Sequence, residues 1–119
     1  MSASSTKLQI VTAVERLVAE VPSLGKLTLV VKLELAARGG DAPIWRVEVP
    51  GSKVERDPAA DARLHLVIHR QRFNEIATDG SLRDWARAYE RGDVKVSGDS
   101  AVVKLLGSVV NRQLTRSGR

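Results

Sequence analysis

A run of alternating apolar residues constrains the fold more than any other part of this sequence. Leucine or valine occupies every second position from 27 to 35, at Leu27, Leu29, Val31, Leu33 and Leu35. Successive side chains of a β-strand point to opposite faces of its sheet, so this period of two is typical of a strand with one covered face. The chain must therefore build a sheet and supply other elements to cover it.

Four further stretches have strand character, and short turns separate several of them. They are residues 44–49, 52–56, 62–69 and the pair Val94 and Val96. The turn 38-RGGDAP precedes the first of these, and Pro50-Gly51 follows it. Connections of hairpin length favour antiparallel pairing. We therefore predict a five-stranded, mainly antiparallel sheet.

Helical periodicity covers much of the remaining chain. Apolar residues recur every three or four positions over 8–21, 70–79 and about 99–115, and 81-SLRD fits a capping box that opens a further helix. Helices segregated from a run of strands are typical of an α+β fold with helices packed on one sheet face. We expect a single domain, 1–119, with an ordered core of about residues 6–115.

The composition bears on several classes of function. There is no cysteine, which excludes disulfides, thiolate zinc sites and iron–sulfur clusters. No segment reaches the roughly 18 apolar residues of a membrane span, and the N-terminus lacks a signal-peptide core, so we expect a cytoplasmic protein. The net charge of +5 is dispersed, and aromatic residues are few. Single-stranded nucleic acid needs stacking aromatics, so we expect no nucleic-acid partner.

The segment 92-GDVKVSGDSAVVKLL-106 passes from a strand pattern through Gly-Asp-Ser into a helix pattern. Such a segment can present Ser100 as a nucleophile, form a phosphate loop, or only begin the last helix. A nucleophile elbow needs a glycine where this sequence has Val102, and the spacing of a phosphate loop is absent. We therefore expect Asp99 or Ser100 to cap the helix. A small enzyme using Ser100 or a histidine is kept as the third hypothesis.

His65 and His69 are the two histidines, and they are four positions apart. On a helix this spacing can bind zinc. On a strand it separates them by about 13 Å, too far to share a metal. Because residues 62–69 have strand character, we place both histidines on the outer sheet face. We predict no catalytic residue, no metal site and no cofactor.

The helices carry more apolar surface than one packing face requires, and two interpretations follow. The surplus either completes an ordinary filled core or walls a cavity for a long apolar ligand. The residues we assign to cavity walls over the inner sheet face are Phe73, Ile76, Leu82, Trp85, Tyr89, Leu105, Leu106, Val109 and Val110. The inner sheet face below them is Leu29, Val31, Leu33 and Trp45.

Three stretches give the chain a resemblance to a known family. They are 45-WRVEVPG, 61-DARLHLVIHRQRFNEIATDG and 88-AYERGDVKVSGDSAVVKLL, in an order of elements that agrees over roughly residues 6–115. In these stretches the chain resembles the sterol carrier protein 2 lipid-binding domain. The resemblance implies a five-stranded antiparallel sheet covered by helices, with a hydrophobic tunnel between them. It also implies non-enzymatic binding or transfer of a fatty acid, fatty acyl-CoA or sterol-like lipid.

A second function is compatible with the same sequence. Arg83, Arg87 and Arg91 lie four apart on one predicted helix. If the core is filled, this basic stripe could dock an acidic protein partner, or an anionic head group at a membrane surface. Asp93 stands where the family often has lysine, which bears on the identity of the ligand. A homodimer is an open alternative to a monomer.

Overall fold

The computed structural model describes residues 3–37, 43–51, 53–78 and 80–117. Within these residues the strands are β1 Leu29–Ala36, β2 Ile44–Val49, β3 Lys53–Arg56, β4 Leu64–His69 and β5 Val94–Gly98. The α-helices are α1 Ala3–Glu20, α2 Arg70–Ile76, α3 Leu82–Glu90 and α4 Ser100–Ser117, and a 3-10 helix, Pro22–Lys26, follows α1. The predicted α+β class is confirmed. The turn predicted at 38-RGGDAP lies largely outside the described residues.

The five strands form one sheet in the order β3-β2-β1-β4-β5. The pairs β1–β2, β2–β3 and β4–β5 are antiparallel. The central pair β1–β4 is parallel, with Val31 beside Leu64 and Ala36 beside His69. The predicted mainly antiparallel sheet is therefore confirmed, whereas the fully antiparallel sheet that the resemblance implied is corrected at this one pair.

Strands β1 and β4 are parallel because the chain, after β3, does not make a hairpin but crosses to the free side of β1. Arg56, the last residue of β3, lies level with Leu33 of β1, whereas Leu64 lies level with Val31. The chain therefore has to return by only about two residues of strand length, and 57–63 is long enough to cross to the other side of β1. Arg46 of β2 holds this crossover through two hydrogen bonds from its guanidinium to Asp61, at 2.7 and 3.1 Å.

The two faces of the sheet differ as the period of two predicts. Leu29, Val31, Leu33 and Leu35 of β1 are buried, and the residues between them are half-buried. The inner face packs under the helices in a core that includes Ile10, Phe73 and Ile68, each about 1% exposed. Among the described residues, no helix combines the length and apolar character needed to cross a membrane.

The junction between β5 and α4 answers the question raised by Gly98-Asp99-Ser100. The Asp99 carboxylate accepts hydrogen bonds from the backbone N–H groups of Ala101 and Val102, at 2.9 and 3.3 Å, as an N-cap residue does. Gly98 has φ of +128°, and a Cβ there would lie 2.5 Å from the Arg63 carbonyl oxygen. The tight approach requires glycine. Ser100 is the exposed first residue of α4.

This junction is expected to make the stability of the protein depend on pH below about 4. The Arg63 guanidinium, 3.0 Å from Asp99, and the capped N–H groups lower the pKa of the Asp99 carboxyl. Because the folded-state pKa is the lower one, the stabilisation is present above the ordinary carboxyl pKa of about 3.9. It is lost as the pH falls through the folded-state value.

Asp99→Asn keeps a capping side chain but removes the negative charge that faces Arg63 and the first turn of α4. We therefore expect it to lower the thermal unfolding midpoint by up to a few degrees at pH 7, the size of one exposed charge interaction. The difference from the unchanged protein should shrink at pH 2–3, and circular dichroism melts at both pH values measure it. The control is Asp57→Asn, which leaves this junction untouched. Its unfolding midpoint should not show the change with pH that is expected of Asp99→Asn. An Asp99→Asn difference that is the same at both pH values would contradict the assignment.

Candidate functional site

A cavity of about 780 Å³ lies between the inner face of the sheet and the helices. Its floor comes from four strands, because alternate side chains of each strand point to the same face. The floor residues are Leu29, Val31, Leu33, Val47, Val49, Leu64, Leu66, Val94 and Val96. All of them are valine or leucine, so the floor offers no polar group.

Helices α1, α3 and α4 wall the cavity through residues three or four apart that share one helix face, and the 3-10 helix and α2 each add one residue. From α1 and the 3-10 helix these are Ile10, Ala13, Val14, Leu17, Val18 and Leu24. From α3 they are Leu82, Trp85, Ala86, Tyr89 and Glu90, and from α4 Val103, Leu106, Gly107, Val110, Asn111 and Leu114; Phe73 of α2 completes the lining.

The cavity reaches solvent between the end of α3 and the middle of α4. Tyr89 is 57% exposed, and Glu90, Gly107 and Asn111 are also exposed, although all four line the cavity. A Cβ built on Gly107 would meet no other atom within 4 Å. Gly107 therefore borders open space at this opening.

The aromatic residues of the cavity lie on its helical side. The rings of Phe73 and Trp85 meet edge to face, with centroids 6.3 Å apart and planes at 69°. Phe73 is 1% exposed and Trp85 is half-buried. This pair holds the Trp85 indole against the cavity, where its fluorescence would report on a ligand.

The structure brings together nine of the thirteen residues that the sequence assigned to a ligand site. Those that line the cavity are Leu29, Val31, Leu33, Phe73, Leu82, Trp85, Tyr89, Leu106 and Val110. Whether they contact a ligand stays a prediction. They share one space because the inner face of β1 and the apolar faces of α3 and α4 all point into it.

The other four assigned residues lie outside the cavity lining. Trp45 is 2% exposed with the Arg56 guanidinium 5.4 Å over its ring, and Ile76 is 7% exposed on α2. Val109 packs with Val21, Leu24 and Leu82 in a separate apolar cluster. Leu105 is 47% exposed. The apolar residues of α4 cover more than one side of the helix, so periodicity alone could not say which side faces the sheet.

Sequence reasoning did not assign the contribution of α1 to the cavity. The signal was present, because Val14, Leu17 and Val18 have helical spacing. What the pattern lacked was the position of α1 relative to α3 and α4. The floor residues of β4 and β5 were missed for a similar reason. The strands that β4 and β5 pair with decide which of their faces the helices cover, and the sequence does not give that pairing.

The arginines of the predicted basic stripe lie outside the cavity lining. Arg83 and Arg87 are exposed on α3, and Arg91 is exposed directly after it. Arg87 and Arg91 line a separate hollow of about 110 Å³ with Arg72. Arg72 itself forms ion pairs with Glu75 at 2.6 Å and Asp93 at 3.1 Å. The basic stripe therefore faces away from the apolar space.

The histidines lie on β4, as predicted. His65 is half-buried, with its Nε2 3.6 Å from a Glu34 carboxylate oxygen, and His69 is exposed. Across the described part of the chain, no three histidine, aspartate or glutamate side chains gather in a set that could hold a metal ion.

Comparison with solved structures identifies the architecture. Sterol carrier protein 2 from Aedes aegypti, solved with palmitate, matches with a TM-score of 0.58 and 20% identity over 92% of this chain and 96% of that one. Sterol carrier protein 2 like 2 from Aedes aegypti matches with a TM-score of 0.55 and 21% identity over 87% and 98%. This chain has the sterol carrier protein 2 fold. The family resemblance seen in the sequence is confirmed at the level of fold.

A further structure with the sterol carrier protein 2 fold broadens the comparison. A protein described as "UbiJ-SCP2 Ubiquinone synthesis protein" matches with a TM-score of 0.52 and 16% identity over 92% of this chain and 93% of that one. No family model matches the sequence, and no curated protein matches it. At these identities the likeness concerns the arrangement of the helices and strands.

Proposed function

We propose that this protein binds and transfers one long apolar ligand, a fatty acid, fatty acyl-CoA or sterol-like lipid, in the cavity between sheet and helices. The observation that supports the proposal is a space of about 780 Å³ with an apolar floor and an opening to solvent. Pockets for small molecules commonly measure about 300–1,000 Å³ and are mostly apolar. We also propose that the chain forms a single domain and that the protein is cytoplasmic.

Burial of hydrocarbon would drive the binding. Each CH₂ group moved from water into the cavity contributes about 0.8 kcal/mol, before the costs of ordering the ligand and the side chains. Affinity should therefore rise with chain length until the cavity is filled.

Structures of similar fold support this class of ligand. Sterol carrier protein 2 from Aedes aegypti was solved with palmitate, and a palmitated form of its sterol carrier protein 2 like 2 was also solved.

The proposed activity is non-enzymatic. Ser100 is an exposed residue in the first turn of α4 and does not line the cavity, and neither do His65 and His69. A ligand in the cavity would therefore not meet the residues of the third hypothesis. We expect full lipid transfer in Ser100→Ala and His65→Ala variants, a result that would dispose of the enzyme hypothesis.

Docking through Arg83, Arg87 and Arg91 stays a prediction, as does a homodimer. The three arginines are exposed, so an acidic partner or an anionic membrane could reach them. That hypothesis began from a filled core, however, and the cavity makes the carrier function the better supported one.

Fluorescence of Trp85 tests the proposal. Trp85 lines the cavity, whereas Trp45 is buried outside it. Adding a long-chain lipid should shift the emission of the unchanged protein and of Trp45→Phe to shorter wavelength, as water around the Trp85 indole is displaced. Trp85→Phe should show no shift while still binding the lipid in a separation assay. An emission that no lipid changes in any of the three proteins would contradict the proposal.

A further inference from the structure

The polar side chains at the opening of the cavity are unevenly charged. Glu90 at the end of α3 and Asn111 on α4 are both exposed and both line the cavity. Among the described residues that line it, none is lysine, arginine or histidine. The opening therefore carries a carboxylate with no cation beside it in the lining.

The basic residues that neighbour this opening in sequence lie elsewhere. Arg87 and Arg91 line the separate hollow that they share with Arg72. Lys104 and Arg112 are exposed on α4 outside the cavity lining. No described partner forms a hydrogen bond or ion pair with the Glu90 side chain, so its oxygens are available to a ligand.

The head group of a bound lipid has to sit near this opening. The floor and the α1 wall are apolar, and a polar group buried there without a hydrogen bond would be destabilised. An ionised glutamate accepts hydrogen bonds and donates none. A hydroxyl can donate to it, whereas a carboxylate head group cannot and is repelled by its charge.

We propose that Glu90 determines the head-group specificity of the cavity, which selects lipids with a neutral, hydrogen-bond-donating head group over fatty acids of equal chain length. The Asn111 amide, which lines the cavity from α4, is a further neutral group that can donate a hydrogen bond. This inference rests on the proposed carrier function and narrows its ligand class. It departs from the palmitate seen in the similar Aedes aegypti proteins.

The test compares dodecanol with dodecanoate, which share a chain length and differ in head group. Dissociation constants are measured from Trp85 emission for the unchanged protein, Glu90→Gln and Glu90→Lys. Glu15→Gln and Glu15→Lys are the matched controls, because Glu15 is exposed on α1 and lies outside the cavity lining. The quantity of interest is the ratio of the two constants, since an alcohol is intrinsically more apolar than a carboxylate.

The inference predicts that Glu90→Gln tightens dodecanoate binding by roughly two- to five-fold, the size of one exposed charge interaction. Dodecanol binding should be unchanged or weaker. The dissociation constant for dodecanoate divided by that for dodecanol should therefore fall. Glu90→Lys should move it further, and added salt should reduce both changes. The Glu15 variants should leave the ratio unchanged.

Two other outcomes would each overturn the inference, and they are distinguishable. If both lipids bind but the Glu90 and Glu15 variants give the same ratio as the unchanged protein, Glu90 has no role in head-group selection and the carrier function stands. If neither lipid binds any of the proteins, the carrier function itself fails and the inference fails with it.

Discussion

Replacement of Leu66 by asparagine is expected to weaken the binding of a fatty alcohol or fatty acid by about 1–3 kcal/mol, a factor of roughly 5 to 150 in Kd. Leu66 lies on the cavity floor and is half-buried. In the empty protein, water in the cavity can hydrogen-bond the new amide, so folding should be affected little. A bound hydrocarbon chain would displace that water and offer the amide no partner. The cost therefore falls on binding.

The neighbouring position supplies a matched control. Val67 points to the opposite face of β4, where it pairs with Glu34 and Lys95 across the adjacent strands. Val67→Asn introduces the same amide one residue away, outside the cavity, and should leave Kd unchanged. Binding constants for both variants come from Trp85 emission. Equal Kd values for the two folded variants would show that lipid does not contact the floor assigned to it.

Truncation of Ile68 is expected to have the largest effect on stability. Ile68 is 1% exposed and lies outside the cavity lining. Ile68→Ala should therefore lower the free energy of unfolding by about 2–5 kcal/mol, because close-packed neighbours cannot fill the space that is left. This is a large share of the 5–15 kcal/mol typical of a folded domain.

Leu66→Ala is the comparison, because Leu66 lies two positions earlier on the same face of the same strand. Its side chain already borders open space, so truncation removes fewer contacts. We expect a loss of about half that of Ile68→Ala or less. Urea unfolding of both variants measures the difference. Equal losses would indicate that Leu66 is packed as tightly as Ile68 and that the space above it is not a cavity.

The local features of the fold could be predicted from the sequence because they depend on local periodicity. The alternation from Leu29 to Leu35 predicted both the strand β1 and its buried face. The capping box at Ser81 is present, with the Ser81 N–H donating to Asp84 at 2.9 Å. The Gly98-Asp99 turn into α4 likewise follows from residues next to one another. In each case the interacting groups are close in the chain.

The features that required the structure depend on contacts between distant parts of the chain. The parallel pairing of β1 with β4 depends on the crossover held by Arg46 and Asp61. The side of α4 that faces the cavity depends on how α1 and α3 pack beside it, so periodicity could not separate Leu105 and Val109, which lie outside the lining, from Leu106 and Val110, which lie in it. Periodicity gives the apolar faces of the helices, and only their packing decides which faces meet and which leave space between them.

Native mass spectrometry of the purified protein mixed with lipids tests the central claim most directly. The mixture contains fatty alcohols and fatty acids of 12 to 18 carbons, a fatty acyl-CoA and a sterol. The account predicts a one-to-one complex with at least one of these lipids, retained in Val67→Asn and reduced in Leu66→Asn. A mass that stays that of the protein alone with every lipid, in a folded sample, would contradict a lipid carrier.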